Sequence, residues 1–117
     1  MPLEETDAAY VADMLDAARG ILEFTKGLAY HAFVEDQMRR MAVERGFEII
    51  GEAARQVSAD FRAGYPDLPF SKMIGLRNVI AHGYADVDYR VLFKVATDDV
   101  PMLVQNLERL LSGGELP

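Results

Sequence analysis

The sequence contains no cysteine, and that one absence removes disulfide scaffolds, thiol nucleophiles and cysteine-based zinc sites together. Histidine is almost as scarce. His31 and His82 are the only two, so any metal site would have to be built mainly from carboxylates. No apolar stretch reaches the length of a membrane span, because Glu, Asp, Arg or Lys interrupts each of them. The opening stretch, MPLEETDAAY, is acidic where a secretory signal would be basic, and the expectation is a cytoplasmic protein that does not enter a membrane. A basic surplus is missing too: the formal net charge is −7, which argues against coating nucleic acid by bulk electrostatics. The charge is unevenly spread, with roughly −6 over residues 1–37, roughly +2 over 38–94 and roughly −3 over 95–117. The middle of the chain can still meet a polyanion.

What remains is a chain of 117 residues, half of them apolar, which is enough for one domain over residues 1–117 with a real hydrophobic core. Val11, Met14, Ala18, Ile21, Thr25 and Leu28 recur at steps of three and four, with Leu15 and Leu22 widening the stripe, and predict a first helix near residues 7–29. Thr6 or Asp7 is its expected N-cap. A second periodic run goes from Val34 through Met38, Met41, Ala42, Ile49, Ile50, Ala53 and Val57 to about Phe61, and predicts one long helix. Gly46 and Gly51 inside it are poor helix formers, and close approach of another helix is a reason to keep them. GYPDLPF, residues 64–70, reads as a turn, because Pro66 and Pro69 disfavour helix in the residues before them.

A third helix is expected from Ser71 to about His82, ending at Gly83. Asp86 or Asp88 can cap a last helix whose Leu92, Val95, Leu103, Leu107, Leu110 and Leu111 point inward, with a kink or break near Pro101. Residues 112–117 read as a loose tail. No segment shows the period-two alternation of strands. The expected fold is all-α, an antiparallel bundle of four main helices joined by short connections. The methionines at 14, 38, 41 and 73 are expected in its core.

Most candidate chemistry fails on spacing. His31 and Glu35 are i,i+4 neighbours but have no further ligand at metal spacing, and no glycine-rich phosphate loop is present. The informative stretch is GLRNVIAHGY, residues 75–84. It puts polar Arg77 and Asn78 between Leu76 and Val79 in the most apolar helix of the chain. His82 follows Asn78 by four residues and shares its face, whereas Arg77 stands about 140° around an ideal helix from His82. A structural use of the same residues is open: Arg77 paired with a carboxylate such as Glu52, Asn78 as a cap or cross-link, His82 favoured at a helix C-terminus.

Arg77, Asn78 and His82, with three residues between Asn78 and His82, resemble the Arg-polar-spacer-His mark of the HEPN superfamily of small helical domains. His82, Gly83 and Tyr84 match the His-any-Tyr extension of its HepT-like group. Ile50-Gly51-Glu52-Ala53, the proline turn before the third helix, Asp88, and Asp99-Val100-Pro101 also agree, so the resemblance covers nearly the whole chain. Phe70, where the family often has Trp, is a departure that touches packing.

The resemblance implies a ribonuclease needing neither metal nor cofactor, acting as the toxin of a toxin-antitoxin pair on RNA such as mRNA or tRNA. In such a site His82 transfers protons, Arg77 binds the phosphate and Asn78 supports them. DNA lacks the 2′-OH nucleophile and would not be cut. The resemblance also implies a homodimer whose two motifs meet in one cleft, and a minimal nucleotidyltransferase antitoxin that attaches adenylyl groups to Tyr84. The alternative is a noncatalytic module that keeps the motif as a surface for a nucleotide or a nucleotidyltransferase.

Overall fold

The computed structural model describes residues 3–82 and 87–113. Of these, 82% are helical and none lies in a strand, as expected of an all-α bundle. The described helices are α1 (Glu5–Thr25), α2 (Tyr30–Glu35), α3 (Gln37–Gln56), α4 (Ala59–Gly64), α5 (Phe70–His82), α6 (Tyr89–Asp98) and α7 (Val100–Leu111). No helix among the described residues is long and apolar enough to cross a membrane.

The centre of the bundle is α3, which packs on α1 along one side and on α5 along another, while α1 also carries α7. The pairing of α1 with α3 is antiparallel. Asp7 meets Ser58 just beyond the end of α3, Ile21 meets Gly46, and the Phe24 carbonyl accepts from Arg39 Nη1 near the start of α3. Val11, Met14, Leu15, Ala18 and Ile21 of α1 are buried against Val43, Phe47, Ile50 and Ala54 of α3, and Leu103, Leu107 and Leu110 of α7 complete the core. The anticipated stripe of α1 is therefore the buried one. Gly46 allows the close approach: a methyl there would lie 2.7 Å from Ile21 Cγ1.

Where the elements differ from the periodicity, capping is the cause. The first helix stops at Thr25, not near residue 29, and Gly27 turns the chain with φ +73. Neither Thr6 nor Asp7 is its N-cap. Glu4 holds that position without a side-chain bond, and Asp7 sits buried in the first turn. There Asp7 accepts from the backbone N–H and the hydroxyl of Ser58, at 2.8 and 2.7 Å.

The single helix anticipated from Val34 to Phe61 is three pieces. Asp36 caps α3 by accepting from Arg39 N–H, and Ser58 caps α4 by accepting from Phe61 N–H. A capping side chain satisfies helix N–H groups that periodicity does not register. The shift also overturns the inward assignment of two methionines. Met38 and Met41 are 82% and 60% exposed, and Val43 and Phe47 take the core positions instead; Met14 and Met73 are buried as expected. Leu111, also expected inside, is 39% exposed on the last residue of α7.

The break between α6 and α7 falls where Pro101 places it. Asp99 N–H closes α6 on the Val95 carbonyl, and α7 restarts with Pro101 in its first turn, where a missing N–H costs nothing. Asp88 caps α6, its carboxylate accepting from Arg90 N–H at 2.9 Å. Short α2 is held to α6 by rings: Phe33 stands 5.2 Å from Phe93 and 6.5 Å from Tyr89, and Tyr30 stands 5.8 Å from Phe93. Burial, and then the nearby Glu44 carboxylate, raise the Tyr89 phenol above its ordinary value, against the Arg40 guanidinium lying over its ring. Of the expected tail, Ser112 and Gly113 form a turn; residues 114–117 lie outside the described part, as does Asp86.

Candidate active site

The candidate residues lie on α5, which begins at Phe70 after the proline turn. Leu68 N–H bonds the Tyr65 carbonyl to close that turn, and the Phe61, Tyr65 and Phe70 rings pack around it. Met73 and Ile80 anchor the inner face of α5. The remaining face is where the polar residues stand.

Arg77 does not project freely. Its side chain is 23% exposed and reaches back to α3, where Nη2 lies 3.2 Å from Glu52 Oε2. Nη1 donates to Asn78 Oδ1 at 3.2 Å. The ground for this arrangement is Gly51: a methyl there would run into Arg77 Cβ and lie 2.7 Å from the Met73 carbonyl oxygen. Without a side chain at 51, α5 lies directly on α3 and the stem of Arg77 runs over bare backbone.

Glu52 is itself held from other sides. Its Oε1 accepts from Gln56 Nε2 at 3.4 Å, and Arg55 Nη1 is 3.9 Å from Oε2. Oε2 is buried and meets no partner at hydrogen-bonding angles, so its contact with Arg77 is an ion pair rather than an aligned hydrogen bond. The pairing of Arg77 with Glu52, open from sequence as a structural use, is present.

Arg77 forms one wall of a surface cleft of about 320 Å³ between α1, α3 and α5. Tyr10, Asp13, Arg45, Glu48 and Glu52 contribute to the other walls. Three carboxylates thus face two guanidinium groups, and the cleft by itself is not a basic track for a polyanion. Tyr10 and Arg45 were not singled out from sequence. Nothing local marks them, because α1 reaches this place only through its packing on α3.

The structure brings Arg77 and Asn78 together and leaves His82 apart from them. His82 is exposed as the last residue of α5, and no hydrogen bond or ion pair joins it to Arg77. Tyr84 lies outside the described residues. His31 and Glu35 are an exposed pair at 3.9 Å, and no cluster of three or more His, Asp or Glu suited to a metal occurs among the described residues.

Comparison with known proteins meets this geometry from another direction. A family model described as "Ribonuclease HepT-like" matches residues 14–110, which include α5 and most of α1 and α7. A protein of Methanocaldococcus jannaschii named "Putative RNase MJ1380" is 42% identical over 100 residues, covering 86% of this chain and 92% of its own length. "Probable ribonuclease HepT" of Thermococcus cleftensis is 37% identical over 101 residues, covering 86% of this chain and 92% of its own. No solved structure gives a significant match. With its helical bundle and these matches over most of its length, the chain belongs to the HepT-like ribonuclease family.

Proposed function

We propose that this chain is a metal-independent endoribonuclease, the toxin of a toxin-antitoxin pair, which cleaves RNA by attack of a 2′-OH on the adjacent phosphate. The observation that carries this reading is the constrained guanidinium of Arg77, held on α5 beside Asn78 with His82 one turn further on, in a chain of this family. The reaction needs a base for the 2′-OH proton, an acid for the departing 5′-oxygen and positive charge for the phosphorane. Imidazole and guanidinium supply these without a metal. His82 transfers the protons, Arg77 binds the phosphate oxygens through its planar fork, and Asn78 steadies the fork. The 2′-oxygen–phosphorus bond forms as the 5′-oxygen–phosphorus bond breaks, leaving a cyclic phosphate and a 5′-hydroxyl.

One chain offers one histidine at this place, on a different face from Arg77. Two copies solve both difficulties, since a homodimer can set the His82 of each chain against the Arg77 of the other. Adenylylation of Tyr84 by a minimal nucleotidyltransferase would add negative charge and bulk two residues beyond His82, blocking approach of the RNA backbone. DNA, without a 2′-OH, is not cleaved by this route.

The test is cleavage of single-stranded RNA and tRNA in EDTA by protein shown by intact mass to be unmodified, comparing wild type with His82→Ala. Wild type alone is expected to cleave and to leave cyclic phosphate ends. Equal cleavage by His82→Ala overturns the assignment of His82. If unmodified wild type leaves every RNA intact, the chain is instead a noncatalytic module that binds a nucleotide or a nucleotidyltransferase.

A further inference from the structure

We infer that Glu52 is a positioning residue for Arg77, fixing the plane of its guanidinium before RNA arrives; the inference rests on the ribonuclease reading above. Arg77 has a long, flexible stem and five N–H donors, and a bidentate grip on phosphate requires two of them to be parallel and correctly aimed. On its own α5 it has only Asn78 Oδ1 as a hydrogen-bond partner, engaged through Nη1. The second hold comes from α3, where Glu52 Oε2 lies 3.2 Å from Nη2. Both terminal nitrogens are thus restrained, Nη1 by a hydrogen bond and Nη2 by an ion pair, and four of the five N–H donors are not engaged in hydrogen bonds.

Glu52 is built for this by its neighbours. Gln56 Nε2 donates to its other oxygen at 3.4 Å, a long second contact on the same carboxylate. Gly51, directly before it, lets α5 come close enough for a Glu side chain to span the gap to the guanidinium. Arg55, 3.9 Å away and 46% exposed, is the looser of the two cationic partners. An ordinary packing bridge would be satisfied by that exposed arginine alone. Instead the carboxylate faces the more buried guanidinium, the one that the proposed reaction uses.

A positioning carboxylate has two opposed effects. It orders the fork, which favours the transition state, and it offsets positive charge, which weakens ground-state phosphate binding. Removing it should therefore lower kcat and KM together, a pattern that a smaller folded fraction does not produce. A folded fraction scales kcat and leaves KM where it was.

The experiment compares wild type, Glu52→Ala and Glu52→Gln in steady-state cleavage of one RNA. Alongside it, the Arg77 Nε–Hε correlation is recorded by NMR in the His82→Ala background. Glu52→Ala is expected to lose kcat about tenfold with KM lowered, as befits a fork left to wander. Glu52→Gln keeps an acceptor oxygen of the same reach and should recover to within about threefold of wild type. The Arg77 resonance should move and exchange faster with solvent in Glu52→Ala, and much less so in Glu52→Gln.

Retention of kcat within about twofold in Glu52→Ala, or a KM that is not lowered, overturns the inference. So does an equal loss of kcat in both variants. If Glu52→Ala does not fold, the decision passes to Glu52→Leu, of similar size but without an acceptor, whose kcat and KM must fall and whose Arg77 resonance must move; wild-type values refute the role. A wild type that cleaves nothing sinks the ribonuclease reading instead, and an Arg77 resonance indifferent to Glu52 then sinks this one separately.

Discussion

Gly51 and Arg77 have to be considered as one unit, because the space that one lacks is the space that the other occupies. Gly51→Ala should force α5 off α3 or swing Arg77 out of place, since the added methyl meets Arg77 Cβ and the Met73 carbonyl oxygen, and backbone cannot give way cheaply. Overpacking of this kind costs about 1–3 kcal/mol, read as a lower midpoint in urea. Cleavage should fall more than stability alone explains, because the folded fraction stays near one while the fork is displaced. Unchanged stability and activity would mean that α5 yields without consequence. That Gly46 and Gly51 invite a close neighbour was legible in the sequence; that Ile21 and Arg77 are those neighbours was not. A contact between residues so distant along the chain depends on the bundle, which no local pattern encodes.

Helix boundaries fail or succeed by caps. Ser58 sits between α3 and α4, its hydroxyl accepting from Phe61 N–H at 3.0 Å and donating to buried Asp7 at 2.7 Å. Ser58→Ala removes both bonds and leaves the Asp7 carboxylate with only the backbone N–H, so a loss of about 1–2 kcal/mol is expected in chemical denaturation. Glycine at the same place should not rescue it, because the missing partner is a hydroxyl and not backbone freedom. The hydrophobic stripe of α1, the existence of α5 and the proline turn before it could be read from the sequence, since strong periodicity and proline act locally. The division of the long run into α2, α3 and α4 could not, and the error carried Met38 and Met41 into a core that Val43 and Phe47 fill. Once a start is displaced, every inward position along that helix rotates with it.

Across the whole molecule the apolar core is continuous, and Phe33 shows how far its reach extends. It is fully buried on a helix of six residues, and its ring meets Phe93 and Tyr89 of α6. Phe33→Ala should therefore cost about 3–5 kcal/mol, with far-UV and near-UV signals still falling together on heating. Early loss of the near-UV signal alone would show α2 and α6 melting as a separate unit. Such a helix is too short to persist by itself, and its order comes from packing.

The sequence by itself determined the helical class, the apolar face of α1, the break at Pro101 and the polar pair Arg77-Asn78 on an otherwise apolar helix. These follow from period, from a residue without an N–H and from residue type, all of which act over a few neighbouring positions. Only the tertiary structure decided that Glu52 and Gly51 hold Arg77, that Asp7 serves Ser58, that Tyr10 and Arg45 share a cleft with Arg77, and that His82 stands apart from Arg77 in one chain. The reason is physical: these are distances between helices, fixed by which side chains can be buried together, and burial is a property of the assembled bundle.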